Sequence, residues 1–269
     1  MERRSKVNRT KLLLFLAAGI IVFSLLAPHL APNDPYVTDF KNILKPPSET
    51  YPFGTDQVGR CIMSRIFYGA KVSLGMTFLL LGIIFLTGVS IGIVAGMHGG
   101  LVDTVIMRLA EIILAFPDIV LAIAIVGILG SNMVNTLIGL SMIWWTKYAR
   151  FTRVSVKQVM SKTYISAARL AGASNFNLVT KYILPNILSG LVIQLVIDIS
   201  GIMLALSGLS FLGLGVQPPT PEWGNMLNEG RAYLQTAPWL LLYPGLAIFI
   251  VVIVFNLLGD SLRDSIDTI

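Results

Sequence analysis

Three carboxylates stand where a carboxylate is costly. Glu111, Asp118 and Asp198 fall within or beside long apolar stretches, and an ionisable group in such a setting commonly faces a cavity, a water path or an opposite charge. They are the candidate residues for lining a path through those stretches. Asp198, about eleven residues into its apolar run, is best placed for a cavity, whereas Glu111 has a simpler alternative in a local pair with Arg108. Asp118 follows Pro117, whose missing N–H frees a carbonyl in the preceding turn. Other chemistry is poorly supplied. Cys61 is the single cysteine, so no intrachain disulfide or cysteine zinc cluster is expected. His29 and His98 are far apart, and neither sits in an H-E-x-x-H. No G-x-x-x-x-G-K-[ST] occurs, so the chain lacks a phosphate-cradling loop of its own. Neither a catalytic nor a metal site is expected, nor a directly bound cofactor.

The elements that position these residues follow from composition. Apolar residues make up 55% of the 269 positions and charged residues 13%, with a mean hydropathy of +0.77. A soluble chain carries about 25% charge, so disorder, a disulfide scaffold and a secreted enzyme are excluded in favour of a polytopic, all-α membrane protein. Six apolar stretches approach spanning length: Leu12 to Ala27, Val72 to Gly96, Val105 to Leu129, Met133 to about Thr146, Ile187 to Gly213, and Trp239 to Gly259. In lipid a helix satisfies its own backbone groups, so about six helices are expected, with five as the alternative. The first run follows Arg3, Arg4, Lys6, Arg9 and Lys11, as a signal peptide would. Leu25-Leu26-Ala27 before Pro28 is a poor cleavage site, so the run is expected to stay as a helix.

Charge sets the sidedness. Segment 147–186 holds Lys147, Arg150, Arg153, Lys157, Lys162, Arg169 and Lys181 and no acidic residue, a strong positive-inside signal. Six spans then place both termini and this segment in the cytoplasm, and segments 28–71 and 214–238 outside. The net charge of +6 therefore reports orientation rather than nucleic-acid binding. Gly88, Gly92 and Gly96 recur every fourth residue, a stripe that lets helices approach closely in lipid. Trp144, Trp145 and Tyr148 read as a membrane-interface belt rather than a binding cage.

Residues 150–186 are long for a connection. Tyr164 to Gly172 is alanine-rich and helix-favouring, with Gly172 a plausible stop and Pro185 restarting the chain. A small-residue helix flanked by cations suits a partner's groove, and it equally suits an interfacial helix on anionic lipid. On chemistry alone both readings stay open.

At this point the residues resemble a family. Ser166-Ala167-Ala168, Gly172 and Leu184-Pro185 keep the spacing of the EAA loop of ABC importer permeases, E-A-A-x3-G-x9-I-x-L-P, with Ser166 in place of Glu and Tyr182 in place of Ile. Phe53 to Arg60, Ser64-Arg65 and Tyr68 to Leu74 are similar to the lead-in of the second span in dipeptide, oligopeptide and nickel permeases. So are Ala95-Gly96, Gly99-Gly100, Asp103, Met107-Arg108, Ala115-Phe116-Pro117, Ser210 to Gly215, Pro218 to Pro221, Trp223-Gly224, Phe255 to Asp260 and Leu262 to Asp264.

The resemblance implies a type I ABC importer transmembrane fold with an N-terminal helix and outward loop at 1–71. Residues 72–269 would form the permease core, with the EAA-type loop at 150–186 as a cytoplasmic coupling helix. It implies a multi-pass protein of a bacterial inner or plasma membrane, paired with a second permease subunit, one or two ATP-binding subunits and an extracytoplasmic binding protein. It is not an enzyme. ATP and magnesium would sit on the partner ATPase, reaching this chain through Ser166, Ala167, Ala168, Gly172, Leu184 and Pro185. Asp198-Ile199 with Met203 and Gly208-Leu209-Ser210 resembles nickel permeases, and Leu206 stands where peptide permeases often carry an acid. Nickel or a nickel chelate is the expected cargo, with di- or oligopeptides the alternative. A secondary transporter would need repeats or a carboxylate relay, and neither is evident.

Overall fold

The structure, a computed structural model, describes residues 2–266, with side chains from 8 to 264. The expected basic cluster of Arg3, Arg4 and Lys6 lies outside the described side chains, and residues 267–269 of the expected core lie outside the described residues. Among the described residues ten α-helical segments follow in order: α1 (Glu2–Leu26), α2 (Ile62–His98), α3 (Gly100–Leu114), α4 (Asp118–Leu129), α5 (Met133–Met160), α6 (Thr163–Leu170), the single turn α7 (Asn175–Asn177), α8 (Leu184–Phe211), α9 (Trp223–Gly230) and α10 (Trp239–Ile266). A π-helical stretch, Leu178–Ile183, joins α7 to α8. Among the described residues the extended pairing is one isolated bridge, Thr55 to Cys61.

Two expectations about the spans change. Among the described residues four stretches, Asn8–Leu30, Ile62–His98, Asn175–Phe211 and Trp239–Asp264, are long and apolar enough to cross a membrane. The pair α3 and α4 makes a fifth if counted as one broken span. The single helix expected over Val105 to Leu129 is therefore two helices bent by 90°. Pro117 explains the bend, because it offers no N–H and turns the preceding residue away from helical geometry. The Ala115 N–H still bonds to the Glu111 carbonyl, and the ladder resumes only with the Leu121 N–H on the Pro117 carbonyl. The expected short span Met133 to Thr146 is the first half of the 28-residue α5. Its second half carries Lys147, Arg150, Arg153 and Lys157, which keep the whole helix too polar to join the spanning set.

The chain divides into two compact units. The first comprises Met1–Leu79, Ile125–Leu137 and Val196–Ile269, and the second Leu80–Ala124 and Ile138–Leu195.

In the first unit α1 packs along α10, with the Thr10 and Ser261 hydroxyls 2.6 Å apart. The segment before α2 is folded tightly around charge. Asp56 takes the N–H groups of Val58 and Arg60 and the Arg60 Nε at 2.6 Å. Glu229 on α9 accepts from the Arg60 guanidinium at 3.0 Å, from Arg65 at 2.7 Å and from the Gln57 amide at 3.2 Å. Breaking one partner out of such a buried set leaves an uncompensated charge, so this network fixes α9 against the start of α2.

Glu222 caps α9 through the Gly224 and Asn225 N–H groups and accepts from the Ser73 hydroxyl. Burial pushes its carboxyl above the ordinary range, against the lowering pull of those donors. Trp223 then donates its indole N–H to the Ile66 carbonyl at 3.0 Å, and its ring fills the space beside Gly69, where a Cβ would come within 2.8 Å.

In the second unit the glycine stripe does what its spacing predicts. A Cβ on Gly88 would stand 2.5 Å from the Tyr148 Cβ, one on Gly92 2.6 Å from the Ala149 carbonyl, and one on Gly96 2.8 Å from the Val156 Cβ. The C-terminal half of α2 therefore lies directly on α5. Ala95, Met107 and Ala149 form an apolar plug where α2, α3 and α5 meet, with Ile91, Ile106 and Trp145 around it. Tyr148, expected at a membrane interface, is instead 1% exposed inside this contact, edge-on to Phe85.

Candidate functional site

The basic segment between α5 and α8 folds as a compact elbow. Two residues separate α5 from α6, and both remain hydrogen-bonded to the end of α5: the Ser161 N–H to the Lys157 carbonyl and the Lys162 N–H to the Val159 carbonyl. The Ile165 N–H returns to the Lys162 carbonyl, starting α6 at once. Ala167, Ala168, Arg169 and Leu170 favour the helix because they lose little rotamer freedom there.

Gly172 ends it. The Ala173 N–H bonds to the Ala168 carbonyl and the Gly172 N–H to the Arg169 carbonyl, the two bonds of a Schellman cap, with Gly172 at φ +86°. A Cβ at Gly172 would meet nothing within 4 Å, so glycine is required by backbone conformation and not by space.

Side-chain exposure divides the expected coupling residues. Ser166, Ala167 and Gly172 are exposed, Pro185 is exposed and Leu184 is half-buried. Ala168 is buried together with Ile165 and faces the chain's own interior, packing that holds α6 in place. The departures from the EAA pattern also find positions. Ser166 lies on the exposed side of α6, and Tyr182 stacks on Tyr164 with ring centroids 6.4 Å apart.

Two residues not singled out from sequence stand out. Leu170 is 91% exposed and Phe176 75% exposed, flanking the Gly172 cap on a segment otherwise polar and basic. Their apolar type was visible in the sequence, but only the placed cap shows both side chains pointing away from the chain.

Each of the three candidate path carboxylates has its own local setting. Glu111, exposed on α3, pairs with Arg108 at 2.9 Å. Asp118, exposed at the start of α4, accepts the Ile119 N–H at 2.8 Å. Asp198 is buried on α8 at 7% exposure and engaged within the chain. Two residues along, the Ser200 hydroxyl pairs with the Asn256 side-chain oxygen at 3.0 Å. An apolar groove of about 470 Å³ runs between α8, α9 and α10, lined by Ser207, Phe211, Leu227, Gly245 and Phe249 among others. Leu206, where an acid was the alternative, is buried.

A fourth carboxylate was noted in sequence without a role. Asp103, in the first turn of α3, receives the Arg153 Nε and, at 2.7 Å, the Arg153 Nη2. Lys157 Nζ reaches the same carboxylate at 2.6 Å. The signal that could have found it is an acid in an apolar run matched to the single all-basic segment.

This helical framework defines a class. A chain of the MetNI methionine ABC transporter, solved in inward-facing conformations, superposes with a TM-score of 0.57 at 19% identity, covering 76% of this chain and 97% of that one. At that identity the likeness shows the fold alone, that of an ABC transporter membrane domain.

The sequence supplies the rest. Residues 88–268 match the family described as binding-protein-dependent transport system inner membrane component, and the chain belongs to it. The dipeptide transport system permease protein DppC of Haemophilus influenzae is 39% identical over 97% of this chain and 91% of its own length. The glutathione transport system permease protein GsiD of Pectobacterium atrosepticum is 39% identical over 94% and 86%. The nickel transport system permease protein NikC of Escherichia coli K12 is 37% identical over 96% and 93%. This chain is an ABC importer permease subunit of the inner membrane, and such subunits are not themselves enzymes.

Proposed function

We propose that the elbow from α6 to the Gly172 cap is the contact through which a separate ATP-hydrolysing subunit moves this permease. The observation that carries the reading is the exposure of Leu170 and Phe176 beside a rigidly capped short helix. Neighbouring large apolar side chains left open on a polar surface mark a protein contact, and aromatic and aliphatic anchors dominate such contacts. Ser166 and Ala167 give the same face a low profile for insertion. Ala168, Leu184 and Pro185 act from behind it by holding the elbow's shape. ATP and magnesium belong to the partner, and one or two such subunits, a second permease and an extracytoplasmic binding protein complete the transporter.

Alternating access follows: closure of the ATPase pair shifts the elbow, and the permease pair opens towards the loaded binding protein. The contact must differ between the two states, because equal affinity for both shifts nothing. The six-crossing topology with both termini cytoplasmic requires the first half of α5, Met133 to Thr146, to cross. Its fourteen residues rise about 21 Å, short of the usual hydrocarbon thickness of about 30 Å.

For cargo we infer a short peptide, supported by relatives named for dipeptide and glutathione transport. Nickel or a nickel chelate is the second reading, favoured by the Asp198-Ile199 and Met203 arrangement and by the relative named for nickel transport. Asp198, Asp118 and Glu111 are the candidate path residues under either reading. The test is uptake of labelled dialanine against labelled nickel by cells expressing the full transporter. Dialanine accumulation abolished by deletion of this chain supports the first reading; nickel accumulation alone overturns it in favour of the second.

A further inference from the structure

We propose that Asp103 is a positioning residue that makes α3 follow the elbow, so that movement imposed on α6 reaches the broken span. The inference rests on the coupling role of α6 proposed above and adds the link by which that movement leaves it.

Arg153 and Lys157 lie one turn apart on α5, an i, i+4 pair of like charges that repel without a counterion between them. Asp103 supplies it, gripping Arg153 at two points and Lys157 at one, while itself almost buried at 5% exposure. Arg153 and Lys157 stay partly exposed, and part-buried ion pairs of this kind are weak evidence for stability while the two-point grip selects one geometry. Their place in the fold gives that geometry a use. Lys157 precedes Met160, the last residue of α5, by three residues, about 4.5 Å of helical rise, and the two-residue link to α6 is hydrogen-bonded to the end of α5. The ion cluster thus ties α3 to the last turns of α5, close to where the elbow begins.

On the other side, α3 is joined to α2 by the Gly99–Gly100 turn. Both residues have positive φ and no atoms within 4 Å of a built Cβ, a sharp joint that sets the direction of α3 without gripping it. The apolar plug of Ala95, Met107 and Ala149 holds α3 one turn further along, a second hold beside the carboxylate. What the carboxylate adds is a tie on the first turn of α3, which leads through the 90° break at Pro117 into α4.

The experiment uses the whole transporter, this permease with its partner subunits, in proteoliposomes. Spin labels at Val105 on α3 and Thr163 on α6, both exposed, are measured without nucleotide and after trapping with ATP. The unaltered cluster is expected to keep one narrow distance distribution in both states. Asp103→Asn broadens it on trapping, cuts cargo uptake per ATP hydrolysed about tenfold (labelled dialanine and labelled nickel assayed in parallel), and leaves retention of the ATPase subunit unchanged. Arg153→Lys, which keeps the charge but loses the two-point grip, gives an intermediate distribution and carries the test if Asp103→Asn does not fold.

The reversed pair Asp103→Arg with Arg153→Asp restores the narrow distribution. A purely structural role lowers the thermal midpoint while leaving the distribution and the uptake-to-hydrolysis ratio intact, and that result overturns the proposal. Loss of the ATPase subunit from Asp103→Asn also overturns it, by placing the cluster in docking. Failure of the α6 assignment is read separately, as unchanged ATPase retention in Leu170→Asp.

Discussion

Gly172 shows how one residue can be chosen by backbone rather than by contact. Its φ of +86° lies in the left-handed region, and the space around its absent Cβ is open. An L-residue there costs roughly 1–2 kcal/mol, less for asparagine, which tolerates this region better. Gly172→Ala is expected to lower the thermal midpoint of the purified permease by about 2–8 °C and to reduce ATPase association, with Gly172→Asn milder in both. Equal effects of Ala and Asn would mean that the Schellman cap is not what the glycine supplies. Ala168 is held by packing rather than by backbone conformation. A bulky residue there acts by displacing α6 from its own bed, because the side chain is already enclosed.

Among the elements, α2 and α5 are joined by absence of side chains. Three glycines in one stripe bring the α5 backbone within van der Waals reach, and in lipid that contact is the main attraction available. Gly92→Leu forces a side chain into the Ala149 carbonyl and the Thr152 Cβ, both 2.6 Å from the Cβ position. Overpacking of this kind costs about 1–3 kcal/mol. The expected result is a lowered midpoint in detergent, partly recovered by Thr152→Gly, which removes the clashing Cβ; no change in midpoint would place the helices further apart than the structure has them.

This stripe was legible in the sequence because a four-residue period is a local signal, as were the Gly172 stop and the site of the Pro117 break. The bend angle was not, since a proline says where a ladder breaks and not where the chain then goes. Nor was the length of α5, where a hydropathy boundary at Thr146 concealed a helix that runs on through the basic residues to Met160. Exposure of Leu170 and Phe176, burial of Ala168 and Tyr148, and the grip of Asp103 on Arg153 depend on which way short elements roll once packed. Sequence spacing alone leaves that open.

At the scale of the whole molecule, the family match places the chain among inner-membrane components of binding-protein-dependent transport, and the elbow is the surface proposed above for an outside drive. The central claim is that this elbow meets the nucleotide-hydrolysing partner. Cys61 is buried and the only cysteine, so a single cysteine introduced at Leu170 in a Cys61→Ser background reports on one place. The decisive measurement is photo-crosslinking from that position in the intact transporter, with and without trapped ATP. The account expects a crosslink to the ATPase subunit whose yield changes at least threefold on trapping. A label that reacts only from the outer face, or crosslinks that never include the ATPase subunit, would contradict it.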